Sequence, residues 1–245
     1  TYLRVFIYVR LEKIKAMISD TIIPTPGAVM EASKLLSDNI GDLITVDIGG
    51  ATTDIHSVTE GKEEISKILI APEPKAKRTV EGDLGVYINK DNIINIIGLD
   101  NLSKELKIEK HNLEELIKEY KPIPEGLQIA LTTRLTQEAF DIALKRHSGK
   151  IVYLYNSSGK KAYAEGKDLT NVKYIIGTGG ALTRLSNGSK IIKDVIKAQN
   201  DLLLVPSSSS LVLIDKNYIM ASLGVLSKKH PSAALKLMKS SLEIE

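Results

Sequence analysis

One short run constrains this chain more than any other. Val46-Asp47-Ile48-Gly49-Gly50-Ala51-Thr52-Thr53-Asp54 directly follows the apolar Leu43-Ile44-Thr45. A strand that ends in Asp, then passes through Gly-Gly and hydroxyl residues to a second Asp, reads as a tight β-hairpin. Gly49 and Gly50 accept φ > 0 and let a ligand come close to the backbone. Successive amides in such a turn form an anion-binding concavity, and Thr52 and Thr53 add donors. Asp47 or Asp54 is placed to hold Mg²⁺ through water, because Mg²⁺ at a phosphate keeps waters and takes one or two carboxylates. The same residues also fit an ordinary Gly-Gly hairpin with surface threonines.

Composition narrows the chemistry around that hairpin. The 245 residues are 43% hydrophobic with two Phe and no Trp, so the core is built from Ile, Leu, Val and Ala. That length suits one large domain or two modest lobes. Net charge is +3 and the lysines are scattered, which gives no footprint for nucleic acid. There is no cysteine, so disulfides, thiolate metal sites and cysteine nucleophiles are excluded. His56, His111, His147 and His230 are far apart and read as structural or solvent-facing. No apolar run approaches the roughly 20 residues of a membrane span, and no signal-peptide pattern is present. A cytoplasmic protein with no membrane or nucleic-acid partner is the expectation.

Along the chain, residues 2–9 read as a strand and 11–19 as a helix. Thr25 is placed as the N-cap of a helix over 27–37, with Pro26 in its first turn. Strands are expected at 43–48, 54–59 and 65–70, and 72–85 as an irregular polar loop or lobe junction. Residues 86–147 read as mainly helical, with Pro122 and Pro124 as separators. Strands return at 151–155 and 172–176. The second runs into Gly177-Thr178-Gly179-Gly180-Ala181 and then a helix, an arrangement suited to a nucleotide. It has neither P-loop nor dinucleotide-fingerprint spacing. Gly180 reads as a position of unusual φ/ψ that must stay bare. A strand at 211–214 and helices near 217–226 and 232–242 close the chain.

In order, these pieces resemble the actin-like ATPase superfamily of sugar kinases, heat-shock chaperones and actin. PTPGAVMEASKLL looks like its connect 1 motif, VDIGGATTD like phosphate 2, IIGTGGALTR like the adenosine loop, and NYIMASLGVLS like connect 2. A closer match covers nearly the whole chain. PTPGAVMEA, VDIGGATTDIHSV, PEPKAKRTVEGDLG and LIDKNYIMASLGVLS together resemble the family labelled MutL or GlmL, encoded beside adenosylcobalamin-dependent glutamate mutase and related aminomutases. The mismatch-repair protein that shares the label has a different ATPase fold, and nothing in this sequence looks like it.

The resemblance implies an α/β fold: a ribonuclease-H-like, actin-type ATPase lobe with a mixed sheet flanked by helices. The lobe core would be 1–72 and 149–245, with a mostly helical insert at 73–148. It further implies an ATP-dependent, chaperone-like reactivating factor that exchanges damaged cobalamin on its mutase. Asp47 would orient Mg²⁺ or the attacking water. Gly49, Gly50, Thr52 and Thr53 would bind the β/γ-phosphates, and Gly177, Thr178, Gly179, Gly180 and Ala181 would line the adenosine. Asp54, Glu81 and Asp83 are further candidates near phosphate or metal, Glu81 and Asp83 being equally suited to a capping or lobe-junction role. The family's phosphate 1 motif does not occur in this sequence, and Thr1 falls inside an apolar run. The expectation is therefore a second lobe whose partners are the mutase subunits and an N-terminal lobe of its own protein. Two other classes share parts of the pattern: an ATP-dependent hydantoinase or oxoprolinase, and a filament-forming cell-division homologue of actin.

Overall fold

A computed structural model describes residues 22–156 and 159–244; the strand expected at 2–9 and the helix expected at 11–19 lie outside them. The first helix, α1 (Thr25–Ile40), follows Pro24 and carries Pro26 in its first turn. It thus begins ahead of the expected start, with Thr25 inside it and Pro24, not Thr25, at the cap. Proline fits there because the first-turn amides have no intrahelical acceptor. The helix stops at Gly41, whose φ of 98° breaks the repeat while its N–H donates to Ser37 O at 2.9 Å.

Five strands form the main sheet: β1 (Leu43–Ile48), β2 (Thr53–Val58), β3 (Ala76–Glu81), β6 (Tyr174–Thr178) and β7 (Leu211–Ile214), in the order β3-β2-β1-β6-β7. β2 runs antiparallel to both β1 and β3, whereas β1, β6 and β7 are mutually parallel. Only the second strand is reversed. This is the ribonuclease-H-like sheet on which actin-type ATPase lobes are built, as the motif order implied.

The alternation of side chains along a strand divides the core in two. Ile44, Val46, Ile48, Ile55 and Ile175 face a buried cluster that includes Leu135, Phe140, Ile191 and Ile192. Leu43, Ile176 and Leu213 face the opposite cluster with Leu36, Met220, Leu223 and Met238. On the first side lie α3 (Lys90–Ile97), α4 (Leu99–Leu106), α5 (Lys110–Lys118), α6 (Leu127–His147), α7 (Gly180–Arg184) and α8 (Gly188–Lys197). On the second lie α1, α9 (Met220–Leu226) and α10 (Pro231–Leu242). The result is a mixed sheet covered on both faces, which is why β1 and β6 read as near-continuous apolar runs.

Two local expectations are corrected. Residues 65–70 are not a strand: α2 (Glu63–Ser66) occupies their start, and only Leu69 makes a bridge, to Ala164. Ile65, Ile68 and Leu69 are spaced three and four apart, the period of a helical face, and Glu63 and Glu64 suit a helix N-terminus. The stretch 72–85 is not wholly irregular, because β3 lies within it. Its Lys77, Arg78 and Glu81 fit an edge strand, where charge discourages pairing with another chain.

The helical expectation for 86–147 matches α3 to α6. Leu84 through Leu144 share one buried cluster with the main sheet. α6 ends against β2 and β3, where His147 is fully buried. His147 Nδ1 pairs with Thr79 Oγ1 at 2.9 Å and Nε2 with Ser57 Oγ at 2.8 Å. His56 is buried as well, while His111 and His230 are exposed. A separate hairpin, β4 (Lys150–Asn156) with β5 (Gly159–Glu165), is tied back by Ile151 N–H to Leu202 O at 2.7 Å. Among the described residues no helix is long and apolar enough to cross a membrane.

Candidate functional site

The parallel register of β1 and β6 sets Val46 beside Gly177 and Asp47 beside Thr178. The Gly-Gly hairpin and the GTGGA turn therefore leave adjacent strand ends side by side, the place where open α/β sheets bind ligands.

The hairpin is closed by Gly49 N–H to Thr52 O at 2.9 Å. The segment after β3 braces it. Val86 N–H donates to Gly49 O at 3.2 Å, and the Tyr87 and Ile88 amides both donate to Gly50 O, at 2.9 and 2.7 Å. Asn89 Nδ2 donates to Ala51 O and to Gly82 O, each at 2.8 Å. A Cβ on Gly85 would lie 2.2 Å from the Ala51 carbonyl carbon, so only glycine permits this approach. That contact accounts for the distinctive TVEGDLG run: it is the brace of the hairpin.

The GTGGA turn divides by role. A Cβ on Gly177 would meet Ile214 Cδ1 at 2.8 Å and Ile192 Cδ1 at 2.9 Å, so this glycine serves packing. Thr178 is buried and donates to Asp215 Oδ2 at 2.9 Å. Gly179 has φ of 84°, and a Cβ there would stand 2.5 Å from Asp47 Oδ1 and from the Ile48 backbone. Gly180 opens α7, and a Cβ added there would meet nothing within 4 Å. The unusual backbone expected at Gly180 thus belongs to Gly179, because the turn must reverse before the helix starts.

Asp47 is half-buried. Its carboxyl is pushed up from 3.8 to about 6 by burial and then by the charge of Asp215. Asp54 is also raised to about 6, by burial and then Asp47, against the opposing Thr52 hydrogen bond and Arg78 charge. Asp54 Oδ1 is buried without a hydrogen-bond partner. Such strained carboxylates cluster at functional sites. The native state here holds protons that the unfolded chain releases between pH about 4 and about 6, so this pair lowers stability as pH rises through that window. Asp54→Asn is therefore expected to gain stability relative to wild type as pH rises from 4 to 7. Paired urea melts across that range check it, and a constant difference would show that Asp54 is not raised. Comparing the two proteins cancels the opposite trend from His56 and His147, which burial holds near 3.

Asp215 is a site residue that the sequence reading did not single out. It ends the third parallel strand, and it is fully buried. It accepts from Thr178, from Met220 N–H at 2.9 Å and from Ser241 Oγ at 2.5 Å. The signal was present, since a carboxylate at the end of an apolar strand is the pattern that marked Asp47. Tyr218 follows in the same turn with φ of 52°. Its phenol is raised by burial and then by the Asp47 and Asp215 charges.

Between the two loops and the helical region lies a cavity of about 390 Å³. Gly50 and Tyr87 line it from the hairpin side, Tyr120 and Thr132 from the helical side, and Gly180, Ala181 and Arg184 from the GTGGA side. Thr52 stays partly exposed at the hairpin, whereas Thr53 is buried and donates to Leu84 O at 2.7 Å. Glu81 and Asp83 lie apart from the cavity lining and pair with Arg146 at 2.6 and 3.0 Å. Among the described residues no group of three or more His, Asp or Glu is placed to hold a metal.

Two solved structures share features of this chain at low similarity. One is the ethanolamine utilization protein EutJ from Carboxydothermus hydrogenoformans, with 14% identity and a TM-score of 0.29 over 83% of this chain and 54% of that one. The other is the PilM-PilN type IV pilus biogenesis complex, with 14% identity and a TM-score of 0.27 over 91% of this chain and 53% of that one. The sequence relationship is much stronger. The chain is 36% identical over 241 residues to "Protein MutL" of Clostridium tetanomorphum, covering 93% of this chain and 52% of that protein. It therefore spans about half the length of that curated relative. Residues 4–242 match the family model described as MutL protein. With most of its length aligned by both comparisons, the chain belongs to the MutL protein family.

Proposed function

We propose that this chain is the second-lobe half of an actin-like module that binds and hydrolyses ATP, within a protein that reactivates an adenosylcobalamin-dependent mutase of the glutamate mutase or aminomutase type. The observation that carries the nucleotide reading is the apposition of two glycine loops across β1 and β6, with Gly50 and Gly180 both bordering the open cavity. Neither loop fills that space with its own side chains.

In this reading the base enters the cavity and the phosphates lie along the hairpin toward Asp47. Gly50 and Thr52 present donors to the β/γ-phosphates, while the Gly49 N–H is spent on closing the hairpin at Thr52 O. Thr53 acts from behind, fixing the hairpin to Leu84. Asp47 holds the metal's waters or the attacking water, and the unpartnered oxygen of Asp54 fits the same cation. With two carboxylates here and, among the described residues, no group of three or more placed to hold a metal, the residues fit Mg²⁺ on a phosphate better than a metal held by protein alone. Bound Mg²⁺ neutralises charge that develops on the phosphate oxygens. The chain itself contributes positioning and electrostatics, as phosphoryl transfer requires.

Asp47→Ala in the full-length protein is expected to lower ATP turnover at least about a hundredfold, the loss typical of removing one transition-state stabiliser. Circular dichroism should remain unchanged, because the side chain is half-buried and packs no apolar core. Normal phosphate release from the variant would refute the assignment. The mutase role is supported by family membership. Its test is ATP-dependent recovery of activity by a mutase loaded with inactive cobalamin, and no recovery with an ATP-hydrolysing preparation would overturn that role.

A further inference from the structure

The cavity beside Gly180 has a wall whose hydrogen-bond polarity is fixed. Tyr120 and Thr132 both line it and are only 8% and 4% exposed. Thr132 Oγ1 lies 2.8 Å from Gln128 O. A carbonyl oxygen only accepts, so the single Thr132 proton points there. Tyr120 Oη lies 2.5 Å from Thr132 Oγ1, and with the threonine proton already committed, the tyrosine must donate. Both hydroxyl oxygens are then left with lone pairs alone.

The loop carrying Tyr120 is held in register by Gln128. Its Nε2 donates to Glu119 O at 2.9 Å, and its Oε1 accepts from Lys121 N–H at 3.2 Å. Tyr87 packs against Tyr120 with ring centroids 6.1 Å apart. Val86, Ile129, Ala181 and Leu185 add apolar surface. On the opposite side Arg184 supplies a planar guanidinium, a group that stacks on flat rings. The cavity thus offers surface for an aromatic heterocycle, and any hydrogen-bonding capacity that Tyr120 and Thr132 have left is accepting.

We propose that Tyr120 and Thr132 select the base, admitting a purine whose edge carries an amine and rejecting one that carries an oxo group in its place. Adenine presents N–H donors to the two oxygens. A hypoxanthine or guanine oxo oxygen meets lone pairs instead, and the buried hydroxyls gain nothing for their desolvation. This inference rests on the nucleotide reading and adds to it the residues that decide the base.

Calorimetric titration of the full-length protein with ATP and with inosine triphosphate tests it. Wild type should prefer ATP by at least about tenfold, the worth of one hydrogen bond to a buried partner. Thr132→Val keeps the side-chain shape but removes the acceptor of the Tyr120 proton. That proton is then free to donate to an oxo group, so the preference should fall to parity or reverse. Tyr120→Phe should weaken ATP more than inosine triphosphate and shrink the ratio. Equal affinities in wild type, or variants that weaken both nucleotides by one common factor, would overturn the selection and leave the pair structural. A wild type that binds neither nucleotide would remove the nucleotide reading and this inference with it.

Discussion

Gly224→Ala is expected to destabilise the fold by about 3 kcal/mol, at the upper end of the usual range for overpacking. The thermal midpoint should fall by about 6–12 °C for a chain of this size. The reason is a contact between backbones. A Cβ on Gly224 would lie 1.8 Å from the Ala28 carbonyl oxygen and 2.6 Å from its carbon, so α9 would have to move away from α1. No flexible side chain is available to yield. The sign makes the experiment decisive. In a helix interior alanine is favoured over glycine by about 1 kcal/mol, so an uncrowded Gly224 would make the variant more stable. An unchanged or higher midpoint would show that α1 and α9 do not meet this closely.

Gly179→Ala and Gly180→Val are both expected to lose nucleotide binding, but only the first is expected to lose stability, although the two residues are neighbours. Gly179→Ala forces a side chain onto a residue at φ of 84° and sets it 2.5 Å from Asp47 Oδ1 and the Ile48 backbone. The conformation alone costs about 1–3 kcal/mol, and the contact adds to it. Stability and nucleotide binding should both be lost, because the displaced atom is the carboxylate at the centre of the site. Gly180→Val meets open space. It should leave the melting temperature within a few degrees of wild type while abolishing measurable ATP binding, since the new methyls enter the cavity. Paired melts and titrations of the full-length variants separate the two. A Gly180→Val protein that binds ATP normally would show that the cavity does not take the nucleotide.

The hairpin at Gly49 and Gly50 was legible because Gly-Gly between two strand-like runs is a tight-turn signal. β1, β6 and β7 were legible because strands covered on both faces are continuous apolar runs. The backbone contact of α1 and α9 at Ala28 and Gly224 became visible only in the fold. β3 was read as loop because an edge strand is charged for reasons unrelated to local propensity. Residues 65–70 were read as a strand because four apolar residues within a short window fit either period until their neighbours are known.

The site divides along the same line. By itself the sequence determined which backbone segments are bare, where carboxylates end strands, and the family to which the chain belongs. These are properties of residues near one another along the chain. Only the tertiary structure decided that Gly179 rather than Gly180 carries the strained turn and that Thr53 faces Leu84. It alone showed that Glu81 and Asp83 answer Arg146, that Asp215 stands behind Asp47, and that Tyr120 and Thr132 form one wall of the cavity. Each of those facts depends on which distant segment arrives at a given side chain. Tyr120 and Gly180 are sixty residues apart in the chain, and no local pattern records that folding sets them on opposite sides of one cavity.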